Sequence, residues 1–158
     1  MPAHMSAARA ALGVLVAAAA SAALGACAVA QSVTPEYFPP AGGGDDLPFS
    51  AVVQVGDTLY LAGQIGSAPG GFGPVEGGIQ AETRQTLENI KAVVESHGSS
   101  MDRVVKCTVF LADIDEWAAM NEVYVTYFPN KPARSALGVS GLAADARVEI
   151  ECIAIAAE

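Results

Sequence analysis

Near the C-terminal end of this 158-residue sequence, one arginine and two alternating carboxylates stand on neighbouring apolar strands, in Pro132-Ala133-Arg134-Ser135 and Arg147-Val148-Glu149-Ile150-Glu151-Cys152. The period-2 pattern sends Val148, Ile150, Cys152 and Ala154 to one sheet face and Glu149 and Glu151 to the other. Charged side chains are rarely buried unless paired, hydrogen-bonded or working. A guanidinium offers a planar fork of donors that matches a carboxylate, and a carboxylate accepts protons. Two readings therefore stand side by side: Arg134 and a glutamate form a salt bridge on a solvated face, or these residues act on something else.

The elements that must position them follow from periodicity. Phe49 to Val55 and Thr58 to Ala62 are apolar runs joined by Gly56-Asp57, which reads as a two-residue hairpin turn. A glycine-rich loop containing Gly63, Gly66 and the stretch Pro69 to Gly78 leads into a helix over Ile79 to His97. Its apolar face is Ile79, Thr83, Leu87, Ile90, Val94 and His97, with Glu82, Arg84, Glu88, Lys91 and Glu95 elsewhere and Gly98 as the C-terminal cap. Arg103 to Leu111 is a β-branched strand. Asp113 then caps a second helix, with Glu116 completing a capping box; Trp117, Met120, Tyr124 and Tyr127 or Phe128 face the core and Pro129 ends it. Strands Ala133 to Val139 and Arg147 to Ile155 complete ββαβαββ. This is an α+β pattern, one sheet with both helices on one face, whose other face needs a partner, most simply a second copy of the chain.

Residues 1–30 read as a signal peptide, with Arg9, an apolar run from Ala10 to Leu24 and then small residues. Two exits overlap: Leu24-Gly25-Ala26-Cys27 resembles a lipobox that makes Cys27 the lipidation candidate, and Ala28-Val29-Ala30 is an A-x-A cleavage site. Residues 31–47, with Pro35, Pro39, Pro40 and a glycine run, read as a flexible tether without regular structure, and 48–158 as the packed domain. The expected address is the cell envelope, periplasmic or lipid-anchored. The sequence holds 8 basic and 17 acidic residues; loss of Arg9 with the leader leaves 7 against 17, a net charge of −10. That balance excludes binding that rests on Lys and Arg meeting phosphates, and leaves Cys27 as the one route to a membrane. Cys107 and Cys152 sit in apolar strand patterns and read by default as buried free thiols, with a disulfide permitted in an oxidising compartment. With His4 and His97 as the only histidines, no metal site is expected.

Taken in order, Pro48-Phe49-Ser50, Ala62-Gly63-Gln64-Ile65, Arg84-Gln85-Thr86-Leu87-Glu88-Asn89-Ile90, Asn121, Pro132-Ala133-Arg134-Ser135 and Val148-Glu149-Ile150-Glu151 give residues 48–156 a specific resemblance to the RidA/YjgF family of reactive-intermediate deaminases. The resemblance implies a chorismate-mutase-like fold with one mixed sheet, a homotrimer with a site in each cleft between subunits, and cofactor-free hydrolysis of 2-imino acids or enamines to 2-keto acids and ammonia. Carried onto this sequence, Arg134 holds a substrate carboxylate and Glu149 activates water, as the catalytic pair. Phe49, Gly63, Asn121 and Ala136 complete the substrate-binding set, and Glu151 serves the interface or pairs with Arg103, Arg147 or Lys106. Phe49, Ala62 and Ala136 stand where tyrosine, serine and cysteine are common in the family, which makes the expected pocket more apolar. The alternative function is a trimeric envelope module that binds a small carboxylate without turning it over.

Overall fold

The computed structural model describes residues 33–41 and 47–157. The leader 1–30, Cys27 within it and the run 42–46 lie outside the described residues.

The two apolar runs form β2 (Val52–Val55) and β3 (Thr58–Leu61). Gly56, at φ 59°, supplies the positive φ that the first central position of their tight turn requires, so Val55 comes opposite Thr58. After β4 (Gln64–Ile65), helix α1 covers Gly78–Ser96 and is followed by β5 (Val104–Leu111), α2 (Trp117–Tyr124), β6 (Ala133–Gly138) and β7 (Val148–Ile155). One further strand, β1 (Glu36–Phe38), precedes them and pairs antiparallel with β2. The seven-stranded sheet runs β1-β2-β3-β7-β5-β6, with β4 also beside β7. It is mixed: β5 and β6 are parallel, joined by the crossover through α2, and the other pairs are antiparallel.

Both helices lie on one face. From α1 come Ile79, Leu87, Ile90 and Val94, and from α2 Met120 and Val123, all buried against Leu59, Val109, Leu111, Val148 and Ile150. The α1 threonines fit this apolar face because Thr83 and Thr86 donate their hydroxyls back to the carbonyls of Ile79 and Glu82, at 2.6 and 2.8 Å. Gly98, at φ 69°, closes α1 with its N–H on Glu95 O, while the Ser99 N–H reaches Val94 O at 2.9 Å.

Several expectations are corrected. The segment 31–47 is not all unstructured: prolines at 35 and 39 bracket a three-residue edge strand, a place where proline is tolerated, and Phe38 packs edge-on against His97 at 4.8 Å between ring centroids. Glu82 is not on the solvent side of α1 but 4% exposed, because its carboxylate accepts the Arg147 backbone N–H at 2.8 Å. Asp113 does cap, accepting from the Asp115 N–H at 3.0 Å, but on a 3₁₀ turn (Ile114–Glu116) that precedes α2. No capping box closes there, since the Glu116 carboxylate turns instead to the Arg147 guanidinium.

The cysteines are not free thiols. Cys107 on β5 lies directly opposite Cys152 on β7, and their sulfurs are bonded. An antiparallel ladder brings opposed residues to about 4.5–5.5 Å between Cα atoms, and both side chains point into the core. The bond closes a loop of 45 residues in sequence. A loop of that length constrains the unfolded chain enough to stabilise the fold by about 2–4 kcal/mol. Denaturant unfolding of the protein with and without a thiol reductant should show a loss of that size; coincident curves would mean that the bond contributes nothing.

Candidate active site

Arg134 is placed by β6, where it stands beside Cys107 of β5 and therefore on the helix-covered face. Its guanidinium donates from Nη1 to Asn121 Oδ1 at 2.8 Å and lies over two aromatic rings of α2, 4.5 Å from the Tyr124 centroid and 5.5 Å from that of Trp117. Such stacking holds the planar group while leaving its in-plane donors free. Trp117, Asn121 and Tyr124 are four and three residues apart, so one stripe of α2 makes this support. Among the described residues Arg134 forms no ion pair. A cation seated on apolar rings without a carboxylate is poised for an incoming anion. Beside it is a hollow of about 260 Å³ lined by Asn121, Tyr124, Phe128, Lys131 and Pro132. The Tyr124 hydroxyl is buried without a partner, and that burial, opposed by the Arg134 charge, pushes its pKa up to about 12, so it stays a neutral donor.

Glu149 sits elsewhere. On β7 it stands opposite Phe110 of β5 and Ile65 of β4, on the face that neither helix covers. Its carboxyl lies against Gly63: a Cβ added to that glycine would run into Glu149 Oε1, so a side chain there would push the carboxyl out of this position. Burial, and next the nearby Glu151, hold the Glu149 carboxyl above the ordinary carboxylate value. Gly63 and Phe49 both line a second hollow of about 440 Å³, together with Ile65, Asn89 and Val93.

The expected site residues thus fall into two groups. Arg134, Asn121 and Ala136 are on the helix face, Ala136 being paired with Val109 and packed against the core. Glu149, Gly63 and Phe49 form the second group. Arg134 and Glu149 are not on adjacent strands, because β5 lies between β6 and β7. They also do not share a face, so the salt bridge between them is absent. The physical reason is register: Arg134 pairs with an inward residue of β5, Glu149 with an outward one. Glu151 makes no ion pair among the described residues either. Arg103 donates to the carbonyls of Ile155 and Ala156, Arg147 holds Glu82 and Glu116, and Lys106 Nζ reaches the Thr108 and Ser135 hydroxyls at 3.4 Å. Trp117, expected in the core, is 41% exposed. Its role beside Arg134, like that of Tyr124, is absent from the sequence reading; the spacing of Trp117, Asn121 and Tyr124 along one helix stripe is the signal that could have found it.

Residues 45–156 match the family model described as Endoribonuclease L-PSP. The chain belongs to that family, the RidA/YjgF proteins. It is 48% identical over 108 residues to a RutC family protein of Pyrococcus horikoshii, a match covering 68% of this chain and 86% of that one. It is 42% identical over 109 residues to the 2-iminobutanoate/2-iminopropanoate deaminase of Mus musculus, covering 68% and 81%. Among solved structures, RidA from an Antarctic Psychrobacter is similar with a TM-score of 0.66 and 38% identity, over 79% of this chain and 98% of that one. A putative endoribonuclease of Thermotoga maritima matches with a TM-score of 0.68 and 38% identity, over 80% and 97%. As in the resemblance first read from the motifs, the RidA/YjgF fold of this chain is a mixed sheet with two helices on one face.

Proposed function

We propose that the protein is a cofactor-independent deaminase that hydrolyses 2-imino acids, or their enamine tautomers, to 2-keto acids and ammonia, in sites assembled between subunits of a homotrimer in the cell envelope. The observation that carries this reading is an unopposed guanidinium and a half-buried carboxylate of raised pKa, divided between two faces of one protomer. Names of the mouse deaminase and of other relatives at this level of identity support the reaction class.

The chemistry follows from the groups. Arg134 holds the substrate carboxylate through two parallel charge-assisted hydrogen bonds, which fixes the imine carbon next to it. Glu149, in its carboxylate form, takes a proton from water as the water oxygen bonds to that carbon and the C=N electron pair moves to nitrogen. The same proton is returned to the nitrogen of the carbinolamine. The C–N bond then breaks as the hydroxyl proton passes through the Glu149 carboxylate to the departing nitrogen, which leaves the keto acid, ammonia and an ionised Glu149. Phe49 on the Gly63 side and Ala136 two residues after Arg134 offer apolar groups where the family commonly carries tyrosine and cysteine, which favours imino acids with apolar side chains.

One protomer does not bring Arg134 to Glu149, and the open sheet face offers the means of doing so. Tyr60, Leu137 and Val105 are 47%, 41% and 46% exposed, and Phe110 and Ile153 share the outer face with Glu149 and Glu151. Burying such a face against a second copy is favourable, and a head-to-tail contact that closes after three subunits creates one cleft per subunit. The excess of acidic residues, 17 against 8 basic, speaks against RNA as the substrate that the family model's description names. The envelope address rests on the leader-like residues 1–30 and on the Cys107–Cys152 bond, since such bonds persist in oxidising compartments.

An amino-acid oxidase that generates imines in the presence of semicarbazide provides the assay: active protein lowers the yield of trapped product. Arg134→Ala should raise KM by about 10–100-fold, the worth of a charge-assisted pair. Glu149→Gln should retain carboxylate binding and lose about 100-fold or more in kcat. Because Glu149 works deprotonated and its pKa is raised, wild-type activity should fall away on acidification at a pH above the ordinary carboxylate range, a limb missing from Glu149→Gln. Equal activity of wild type and both variants would remove the mechanism. Carboxylate binding without turnover by the wild type would leave the binding module as the correct reading. Intact mass of protein from a bacterial membrane fraction decides the anchor: a diacylglyceryl adduct on Cys27 is the lipid-anchored outcome, and a soluble chain starting at Gln31 excludes it.

A further inference from the structure

The motif Arg84-Gln85-Thr86-Leu87-Glu88-Asn89-Ile90 on α1 contributes to the family resemblance, yet of its residues only Asn89 has entered the site so far, as part of the wall of the second hollow. Glu82, Gln85 and Asn89, three and four residues apart, form a polar stripe beside the apolar face of α1. Asn89 Nδ2 donates to two backbone carbonyls at the end of β4, Ile65 O at 3.0 Å and Ser67 O at 2.9 Å. Its own oxygen is held by Gln85 Nε2 at 2.9 Å, which fixes the amide orientation. Between those two carbonyls, Gly66 presses on α1 so closely that a Cβ would lie 2.8 Å from Glu82 Cα. At that same Glu82, about two turns before Asn89, the buried carboxylate accepts the Arg147 N–H at 2.8 Å, just ahead of β7.

The two chain segments tied to α1 in this way are the two that frame Glu149. Ile65, whose carbonyl Asn89 holds, is the register partner of Glu149 and lies two residues after Gly63. Arg147, whose N–H Glu82 holds, lies two residues before Glu149, immediately ahead of β7. The space between Gly63 and the Glu149 carboxyl is thereby referenced from both sides to one rigid helix. Tight positioning matters there, because the carboxyl and the glycine backbone are already in contact.

We propose that Glu82 and Asn89 are positioning residues that set the gap between Gly63 and the Glu149 carboxyl, and so the reactivity of Glu149. This rests on Glu149 being the base of the deamination. Neither residue reaches Arg134, so substrate anchoring is independent of them. The charged groups that share the outer face with Glu149 are Glu151 on β7 and Lys106 on β5, and neither is altered by changes on α1.

The test compares wild type, Glu82→Gln, Glu82→Met and Asn89→Ala, reading the Glu149 titration by carbon-13 carboxyl NMR and turnover by the imine assay. Glu82→Gln keeps an acceptor for the Arg147 N–H, so its Glu149 titration and its kcat should match wild type. In Glu82→Met and Asn89→Ala the gap opens to water, and Glu149 should titrate back toward the ordinary value of 4.5. Their kcat should fall about tenfold or more with KM changed less than about twofold, because a base moved by an ångström is costly while the Arg134 anchor is untouched. A merely structural role would lower the amount of folded protein and leave the titration of what remains folded unmoved. An unchanged Glu149 titration in folded Glu82→Met and Asn89→Ala overturns the proposal. If neither folds, Gln85→Ala at its half-buried position decides, with a smaller shift in the same direction expected and no shift counting against it. Wild type without turnover would sink the deaminase reading alone, since the titration still decides the positioning.

Discussion

Neighbours in register across a pleated sheet share a face, and the placement of β5 between β6 and β7 makes that rule decisive. Cys107 of β5 has Arg134 on one side and Cys152 on the other, all directed toward the helices. Three residues on, Phe110 has Glu149 beside it, directed away. Odd and even positions cannot be exchanged without turning the core out to solvent. The buried Cys107–Cys152 bond joins the same strands in the same register. An arginine prepared for a carboxylate and a glutamate prepared for a proton are therefore fixed to opposite sides of one chain.

Each is prepared locally by a helix. The α2 stripe of Trp117, Asn121 and Tyr124 supports the guanidinium with two rings and one amide oxygen, and supplies no countercharge. The α1 stripe of Glu82, Gln85 and Asn89 ties down the backbone on either side of Glu149. One interaction leaves a charge unneutralised and the other keeps a carboxyl confined beside Gly63, where burial and Glu151 make its ionised form less favourable. Both arrangements cost stability unless something binds, which is what functional sites in otherwise consistent folds have in common.

Much of this was legible in the residues. The hairpin at Gly56-Asp57, the α1 face from Ile79 to Val94 and the two-sided pattern of β7 follow from periods of two and 3.6, and they are observed. Missed features depend on partners distant in sequence. Glu82 looks like a surface glutamate until the Arg147 N–H, 65 residues away, is brought to it. Cys107 and Cys152 look like two buried thiols until the β5–β7 register opposes them. The three-residue β1 is too short for a period, and its flanking prolines signal a tether. Arg134 and Glu149 were both singled out by type, but which face each occupies depends on strand order, which one-dimensional alternation does not contain.

The central claim is that one protomer supplies Arg134 and another supplies Glu149. Co-expression of two differently tagged chains, Arg134→Ala and Glu149→Gln, each strongly impaired by itself at substrate well below the wild-type KM, followed by purification on both tags and the imine assay at that substrate level, tests it most directly. In a ring of three that contains both chains, one of the three clefts places an intact Arg134 against an intact Glu149, so mixed assemblies should regain about a third of wild-type turnover. Mixed assemblies no more active than either parent would contradict the account, because they would mean that both residues must come from the same chain.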